Sequence, residues 1–413
     1  MLHYILFAIT SLFLLFFAYI KLKYPFWNNQ PVFHVYDFIR RFYREPFIVN
    51  KNSPIKTKYC DFENIITHKF VECSQKTKID LINITQCFYL NTDRILYTMS
   101  EKDIYALLTG QNEPSYVSIF YEKQYKQVFD SSGSRITSIV IPNGSITSRS
   151  LHFWYVNTAD AHHYTEMPIY LIDLLCVDRQ KDRLSIYRKL FQTQEYNQRI
   201  ENKAIQCSLI KKEMQLFDGI IPFVQYNTHT YKLRNHKISP LPIHYHCVNI
   251  NSENIDLFID FFYTNNDYCS KTEIYKHMVF PDIGNIHSLL KQRLLYIYCL
   301  KKGEHVYGYY FFKDAKMYYE EVDGNTLQLT CSVMNCLSPT IFYSGYLHSI
   351  RDILKKNDTY SMLLFEDIGH NHILLKQWSM NYTPVFTNKT AYYLHNFIMP
   401  GSPIAQKDVF ILQ

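Results

Sequence analysis

From Leu2 to Ile20 the chain carries no Lys, Arg, Asp or Glu, and only His3 is strongly polar. A run of this length matches the hydrocarbon thickness of a bilayer and predicts one membrane-spanning helix. Lys21 and Lys23 follow at once, then Arg40, Arg41 and Arg44. A positive flank on the C-terminal side places the rest of the chain in the cytosol. No small-residue cleavage site follows, so residues 1–23 read as a single-pass anchor rather than a removed signal peptide. The alternative is a lumenal body. Asn83, Asn143, Asn357, Asn381 and Asn388 each begin an Asn-x-Ser/Thr sequon, a pattern that arises by chance in a chain rich in Asn and Thr. An amphipathic surface helix would need a charged face, and the run has none.

The remaining residues are enough for two or three ordinary domains. Hydrophobic residues make up 47% of the chain, sufficient for a large core. Lys+Arg 43 minus Asp+Glu 37 gives +6, a scattered excess too small to argue for nucleic acid but compatible with an anionic cofactor. Only 11 glycines are present, which argues against glycine-rich phosphate loops. The ten cysteines include no Cys-x-x-Cys pair, and the spacing of Cys331 and Cys336 is poor for zinc. They read as free thiols in a reducing compartment, and no metal site is expected; His244, His246 and Cys247 resemble a metal cluster only superficially.

Residues 24–60 form an irregular lead-in punctuated by Pro25, Pro31, Pro46 and Pro54. Asp103 to Leu108 suggests a short helix within an otherwise mixed stretch. Arg135 to Pro142 and Ser148 to Val156 alternate like two strands, with Asn143-Gly144 as the turn between them. Pro168 to Val177 is an apolar run interrupted by Asp173, a candidate buried strand. Leu184, Tyr187, Leu190 and Phe191 then recur at helical spacing within Arg183 to Arg199. The second half repeats the theme: helices near 286–293, 346–355 and 374–380, and strands near 294–300, 306–312, 326–333, 362–365, 392–397 and 409–412. This alternation predicts an α/β (α+β) fold with two related halves and mixed sheets flanked by helices.

The chain ends Asp408-Val-Phe-Ile-Leu-Gln413, apolar where termini usually fray in water. The pattern predicts a terminus drawn into the protein, where a main-chain carboxylate becomes a base placed by the fold. Tyr24-Pro-Phe-Trp-Asn-Asn-Gln-Pro-Val32 resembles the Tyr-Lys-Phe-Trp-x-Thr-Gln-Pro-Val signature of the N-myristoyltransferases, and Ile172-Asp-Leu-Leu-Cys-Val177 resembles their Ile-Asn-Phe-Leu-Cys-Val. Thr390 to Phe397 resembles their Leu-Gln-Tyr-Tyr-Leu-Tyr-Asn-Trp, and the closing Leu-Gln matches some members. The resemblance spans roughly residues 24–413. It implies two tandem GNAT-like halves, an acyl-CoA-binding half over 24–233 and a peptide-binding half over 234–413. It implies that Tyr24, Phe26, Trp27, Cys176 and Val177 contact the acyl-CoA. Leu174 and Leu175 would give backbone N–H groups to the thioester oxygen, and Arg179, Lys181 and Arg183 would hold the pyrophosphate at a helix N-terminus. The carboxylate of Gln413 would be the base.

The resemblance thus implies a membrane-anchored acyltransferase. It would move a fatty acyl group from myristoyl-CoA to the N-terminal glycine of a protein. Partners would be acyl-CoA, glycine-initiated proteins and the membrane, with no nucleic acid. There are departures. The signature Lys is Pro25, a Gly-Asp-Gly before the Tyr-Tyr-Leu strand is replaced around Phe386-Thr387-Asn388, and a Thr near the substrate amine is Phe217. The signature Asn is Asp173, a candidate to hold the incoming ammonium or to share its proton with the terminus. These departures support an alternative, a catalytically impaired relative that binds acyl-CoA or N-terminal peptides as a scaffold. A third reading is transfer of another acyl chain, or transfer to lysine side chains.

Overall fold

The computed structural model describes residues 1–413 apart from 91–93, 131–132, 158–159, 234–237, 239 and 265–274. Cys269 and the expected boundary between halves at 233/234 meet residues outside that description.

Helix α1, Leu2–Lys23, is apolar on every side, with a mean hydropathy of 2.3 over its most apolar window and nearly all side chains exposed. Length and composition alone allow it to cross a membrane. Helices α2 (Gln75–Phe88), α3 (Glu101–Leu108) and α4 (Arg183–Glu201) follow in the first half. Each begins with a side chain that accepts an orphan backbone N–H: Ser74 from Thr77, Ser100 from Asp103, Asp182 from Ser185. Asp103 reciprocates to the Ser100 N–H and completes a capping box. The second half contributes α5 (Asp256–Ile259), α6 (Ile283–Lys291), α7 (Pro339–Lys356) and α8 (Asn371–Trp378).

The strands of the first half are β1 (Phe47–Ile48), β2 (Ile65–Lys69), β3 (Ile95–Tyr97), β4 (Tyr116–Asp130), β5 (Gly133–Asn157), β6 (Asp160–Val177), β7 (Ser208–Glu213) and β8 (Val224–Lys232). Those of the second are β9 (Tyr245–Ile250), β10 (His277–Phe280), β11 (Leu295–Lys302), β12 (His305–Tyr319), β13 (Gly324–Met334), β14 (Tyr360–Glu366), β15 (Phe386–His395), β16 (Phe397–Ile398) and β17 (Val409–Ile411). Among the described residues one mixed sheet runs β17-β10-β5-β6-β7-β15-β8-β14-β13-β12-β11-β9, while β1 and β16 pair separately. The late strand β15 therefore lies between β7 and β8, and β17 and β10 reach across to β5.

The expected Asn143-Gly144 turn is a misreading. β5 runs straight through both residues, flanked by β4 and β6. Gly144 allows close approach rather than reversal, since a Cβ there would meet Val177 and Cys176 at 3.0 and 3.1 Å. Pro142 is accommodated because the register with β4 shifts between Phe120 and Tyr121. α4 forms where its spacing predicts, but Leu184 is exposed. Leu190 and Phe191 are buried, and beyond them the buried side turns polar: Gln194 bonds Ser118 and Ser148, Gln198 bonds Ser148 and Ser208, and Glu195 accepts from Ser208.

Candidate active site

The register of β5 and β6 breaks between the Ser145–Cys176 and Thr147–Asp173 pairs, so Leu174 and Leu175 together face only Ile146. This is a β-bulge, and Leu174 adopts a left-handed conformation with φ +46°. Thr147 Oγ1 donates to the Asp173 carbonyl at 3.1 Å, and Ser145 Oγ donates to the Leu174 carbonyl at 3.3 Å. In a trans peptide the C=O and N–H point in opposite directions. Holding those two carbonyls toward β5 therefore turns the N–H groups of Leu174 and Leu175 away from it, as a pair. Donors aimed at one point are what a developing oxyanion requires. The Leu174 N–H is already engaged: Asp173 Oδ1 accepts it at 2.8 Å and also accepts the Tyr89 hydroxyl at 3.1 Å.

The bulge distributes its neighbours between two apolar clusters. Leu174 and Cys176 pack with Phe410 and Leu412 of the C-terminal segment. Leu175 and Val177 pack with Phe26, Trp27, Phe191 and Phe217. Cys176 is fully buried, its Sγ 3.3 Å from Ser145 Oγ, and burial pushes its thiol up to about 12. A thiol of that kind is not a nucleophile near neutrality.

At the terminus, β17 pairs in parallel with β10, and the Leu412 N–H donates to Val279 O at 2.8 Å. Gln413 is buried, as the apolar ending predicts. It borders a cavity of about 10 Å³ together with Lys313, Met99, Leu107, Leu289 and Leu294, room for roughly one water.

Tyr24, Phe26 and Trp27 open the body directly after α1. The Tyr24 ring lies against Gly219, whose φ of +86° and lack of a Cβ both matter, since a Cβ would meet the ring at 2.6 Å. The Trp27 and Phe217 rings are 4.6 Å apart, and Phe26 lies edge-on to Phe191. Arg188 lies over Phe26 at 5.9 Å and Lys212 over Phe217 at 5.7 Å. Burial, then the nearby Arg183 charge, pulls the Lys212 pKa down. Arg183 itself donates to the Tyr187 hydroxyl at 2.8 Å. Arg179 is exposed, whereas Lys181 meets Glu122 at 2.7 Å, and Asp182 caps the α4 N-terminus. Of the three expected pyrophosphate residues, Arg183 thus adjoins the aromatic cluster and Lys181 is paired elsewhere. Arg188 and Lys212 are additional cations there that sequence reasoning missed.

A second missed feature is a polar row on one face of the sheet. Strand register places Arg149, Asp173, Lys211, Tyr392, Tyr226, Glu366, Gln328 and Lys313 on that face. Glu366 accepts from Lys211 at 2.6 Å, from Tyr226 at 2.8 Å and from Gln328 at 2.5 Å. Burial works against the Lys211 charge, yet Glu213 and Glu366 hold its pKa well above the ordinary lysine value. Arg149 is fully buried and donates from Nη1 to Asn285 Oδ1 at 3.0 Å; burial pulls it down to about 10 despite the Asp173 charge. Burial likewise pulls Lys313 down to about 8, with Asp173 opposing and Arg149 and Lys211 reinforcing. For Arg149 and Asp173, a lone charge inside an otherwise apolar or small-residue strand was the available signal; Lys211, Lys313 and Glu366 each adjoin another charged residue.

The fold has solved counterparts. Saccharomyces cerevisiae N-myristoyltransferase with bound myristoyl-CoA superposes with a TM-score of 0.66 at 11% identity, covering 94% of this chain and 99% of that one. A second structure of the yeast enzyme with myristoyl-CoA gives 0.65 at 12% identity, covering 94% and 93%. No family model matches the sequence, and no curated protein matches it. Along nearly its whole length, the chain therefore has the fold of an N-myristoyltransferase.

Proposed function

We propose that this protein is an acyl-CoA-dependent N-acyltransferase whose acceptor is the N-terminal glycine amine of a protein. The observation that carries the reading is the β6 bulge, which turns the Leu174 and Leu175 N–H groups to one side within an N-myristoyltransferase fold. Residues 24–233 would hold acyl-CoA, and 234–413 would supply most of the peptide side. The fatty chain is myristoyl by analogy with the bound ligand of the yeast enzyme. Phe26, Trp27 and Phe217 would lie against the cofactor, with Arg183, Arg188 and Lys212 near its phosphates. α1 would anchor the body on the cytosolic face of a membrane.

In the reaction, the acceptor ammonium gives a proton to the Gln413 carboxylate. The free amine then attacks the thioester carbon, and its oxygen takes up charge against the Leu174 and Leu175 N–H groups. The C–S bond breaks, coenzyme A leaves as a thiolate, and the proton on the nitrogen is passed to the medium or to that thiolate. Each oxyanion donor is worth about 3 kcal/mol at comparable acyl-transfer sites. A positioned base adds about 100-fold or more.

The scaffold reading has one observation in its favour. Asp173 occupies the Leu174 N–H that the reaction needs. Single-turnover transfer from labelled myristoyl-CoA to a glycine-initiated peptide separates the two, using the full chain and the same chain extended by Gly-Ser-Gly after Gln413. The extension displaces the carboxylate by about 10 Å. Transfer by the native end, with a loss of about 100-fold on extension, supports the enzyme and its base. Acyl-CoA binding without transfer by either supports the scaffold. Equal transfer by both moves the base to another residue, with Asp173 first to test.

A further inference from the structure

The segment just beyond the acyl-CoA signature presents a surface that the acyltransferase reading does not use. Tyr36 stacks on Tyr24, the first residue after α1, with ring centroids 6.2 Å apart, and its hydroxyl donates to Asn28 Oδ1 at 3.1 Å. The Val35 N–H donates to Gly219 O at 3.1 Å, beside the Lys23–Asp218 pair at 4.0 Å. Residues 34–37 are thereby fastened where α1 enters the body. From there the chain makes a single 3₁₀ turn, Arg40–Phe42. Asp37 organises it, accepting the Arg40 N–H and pairing with the Arg40 guanidinium at 3.1 Å, while Arg41 donates to Val35 O at 3.0 Å. This ordered turn pushes apolar side chains into the open: Ile39 is 72% and Phe42 84% exposed, with Phe38 and Tyr43 beside them also exposed.

Four large apolar side chains exposed within six residues, with Arg40 and Arg41 between them, are the composition of an interaction surface. Arginines interleaved with aromatic side chains suit a bilayer interface, where rings sit at headgroup depth and guanidinium groups meet lipid phosphate. We propose that Phe38, Ile39, Phe42 and Tyr43 dip into the membrane that α1 spans, with Arg40 and Arg41 against anionic headgroups. The inference rests on α1 being an anchor. Its structural support is position, because the Tyr24–Tyr36 stack puts the patch at the end of the body from which α1 leaves. Two contacts, a helix and a turn, would fix the tilt of the body and hold the Phe26–Trp27 segment within reach of acyl-CoA dissolved in the bilayer surface.

The test is a tryptophan placed at position 42 by Phe42→Trp in the full chain. The chain is reconstituted in phosphatidylcholine nanodiscs with and without phosphatidylserine, using lipids brominated near the headgroup. The added fluorescence, taken as the difference from the unsubstituted chain, should fall about twofold with brominated lipid, and more with phosphatidylserine present. Tyr43→Trp gives a second probe if the first substitution disturbs the turn. Protein that inserts but shows no quenching at either position overturns the patch and leaves it to a protein partner. Quenching indifferent to phosphatidylserine overturns the anionic preference. A chain that never enters the nanodiscs removes the anchor, and the patch falls with it.

Discussion

Replacing Asp173 with alanine should tighten acyl-CoA binding. The carboxylate accepts the Leu174 N–H at 2.8 Å, the donor that the proposed reaction assigns to the thioester oxygen. A hydrogen bond to a charged group is worth about 1.5–3 kcal/mol net, and a ligand that displaces it forfeits that much. Removing the side chain returns the donor, so the dissociation constant should drop by about 10- to 100-fold at 1.4 kcal/mol per decade. Part of the gain is offset, because the same bond stabilises the left-handed backbone at Leu174, a conformation costing about 1 kcal/mol. Asp173→Asn keeps the acceptor oxygen and loses the charge, so it should fall between. Titration calorimetry with myristoyl-CoA reads the binding, and a rapid-quench single turnover reads the transfer. If Asp173 also holds the incoming ammonium, transfer falls although the cofactor is held more firmly. An affinity unchanged in both variants would refute the idea that Asp173 competes with the thioester.

Lys313→Met should raise the melting temperature at pH 7. The native pKa is lowered to about 8, so the folded state disfavours the charge below that pH, and the difference fades as pH rises toward the ordinary lysine value. The gain is at most about 3 kcal/mol, and it should vanish in melts above pH 10.5. His277 is pulled down to about 4 by burial, so it stays neutral in the fold while the unfolded chain protonates near 6.5. Its contribution is present above pH 6.5 and lost as pH falls toward 4, and His277→Phe should flatten the melting curve in that window. Because His277 pairs with Val409, hydrogen exchange at pH 5 should show β17 opening early. Leu412→Ala should cost about 2–5 kcal/mol in denaturant melts, since the side chain is fully buried in the apolar cluster that also holds Leu174 and Phe410.

Local devices were readable from the sequence, and long-range ones were not. The apolar ending declared a buried terminus, and Pro168 to Val177 declared a strand, though not the bulge within it. α4 was found from its spacing, and Leu190 and Phe191 are buried, but the inward face continues through Gln194, Glu195 and Gln198, which a hydrophobic pattern reads as solvent-facing. Glu195 meets His395 at 3.0 Å, a partner that only the folded chain brings near. Asn143-Gly144 carried the chemistry of a turn, and flanking strands on both sides overrode it. The polar row escaped notice for the same reason. Arg149, Lys211, Glu366 and Lys313 lie on four strands from distant stretches, and register alone sets them side by side.

The insertion of β15 between β7 and β8 bears on how the molecule is made. A ribosome releases β7 and β8 long before β15, so during synthesis both wait with open ladders, the kind of edge on which chains pair with one another. A cut near residue 233 would not yield two autonomous pieces, because the early piece would lack the strand that joins its own sheet. Co-expressed fragments should recombine, whereas either expressed alone should need a chaperone or precipitate. In the cell, the period between emergence of β8 and arrival of β15 is when this protein depends most on being held.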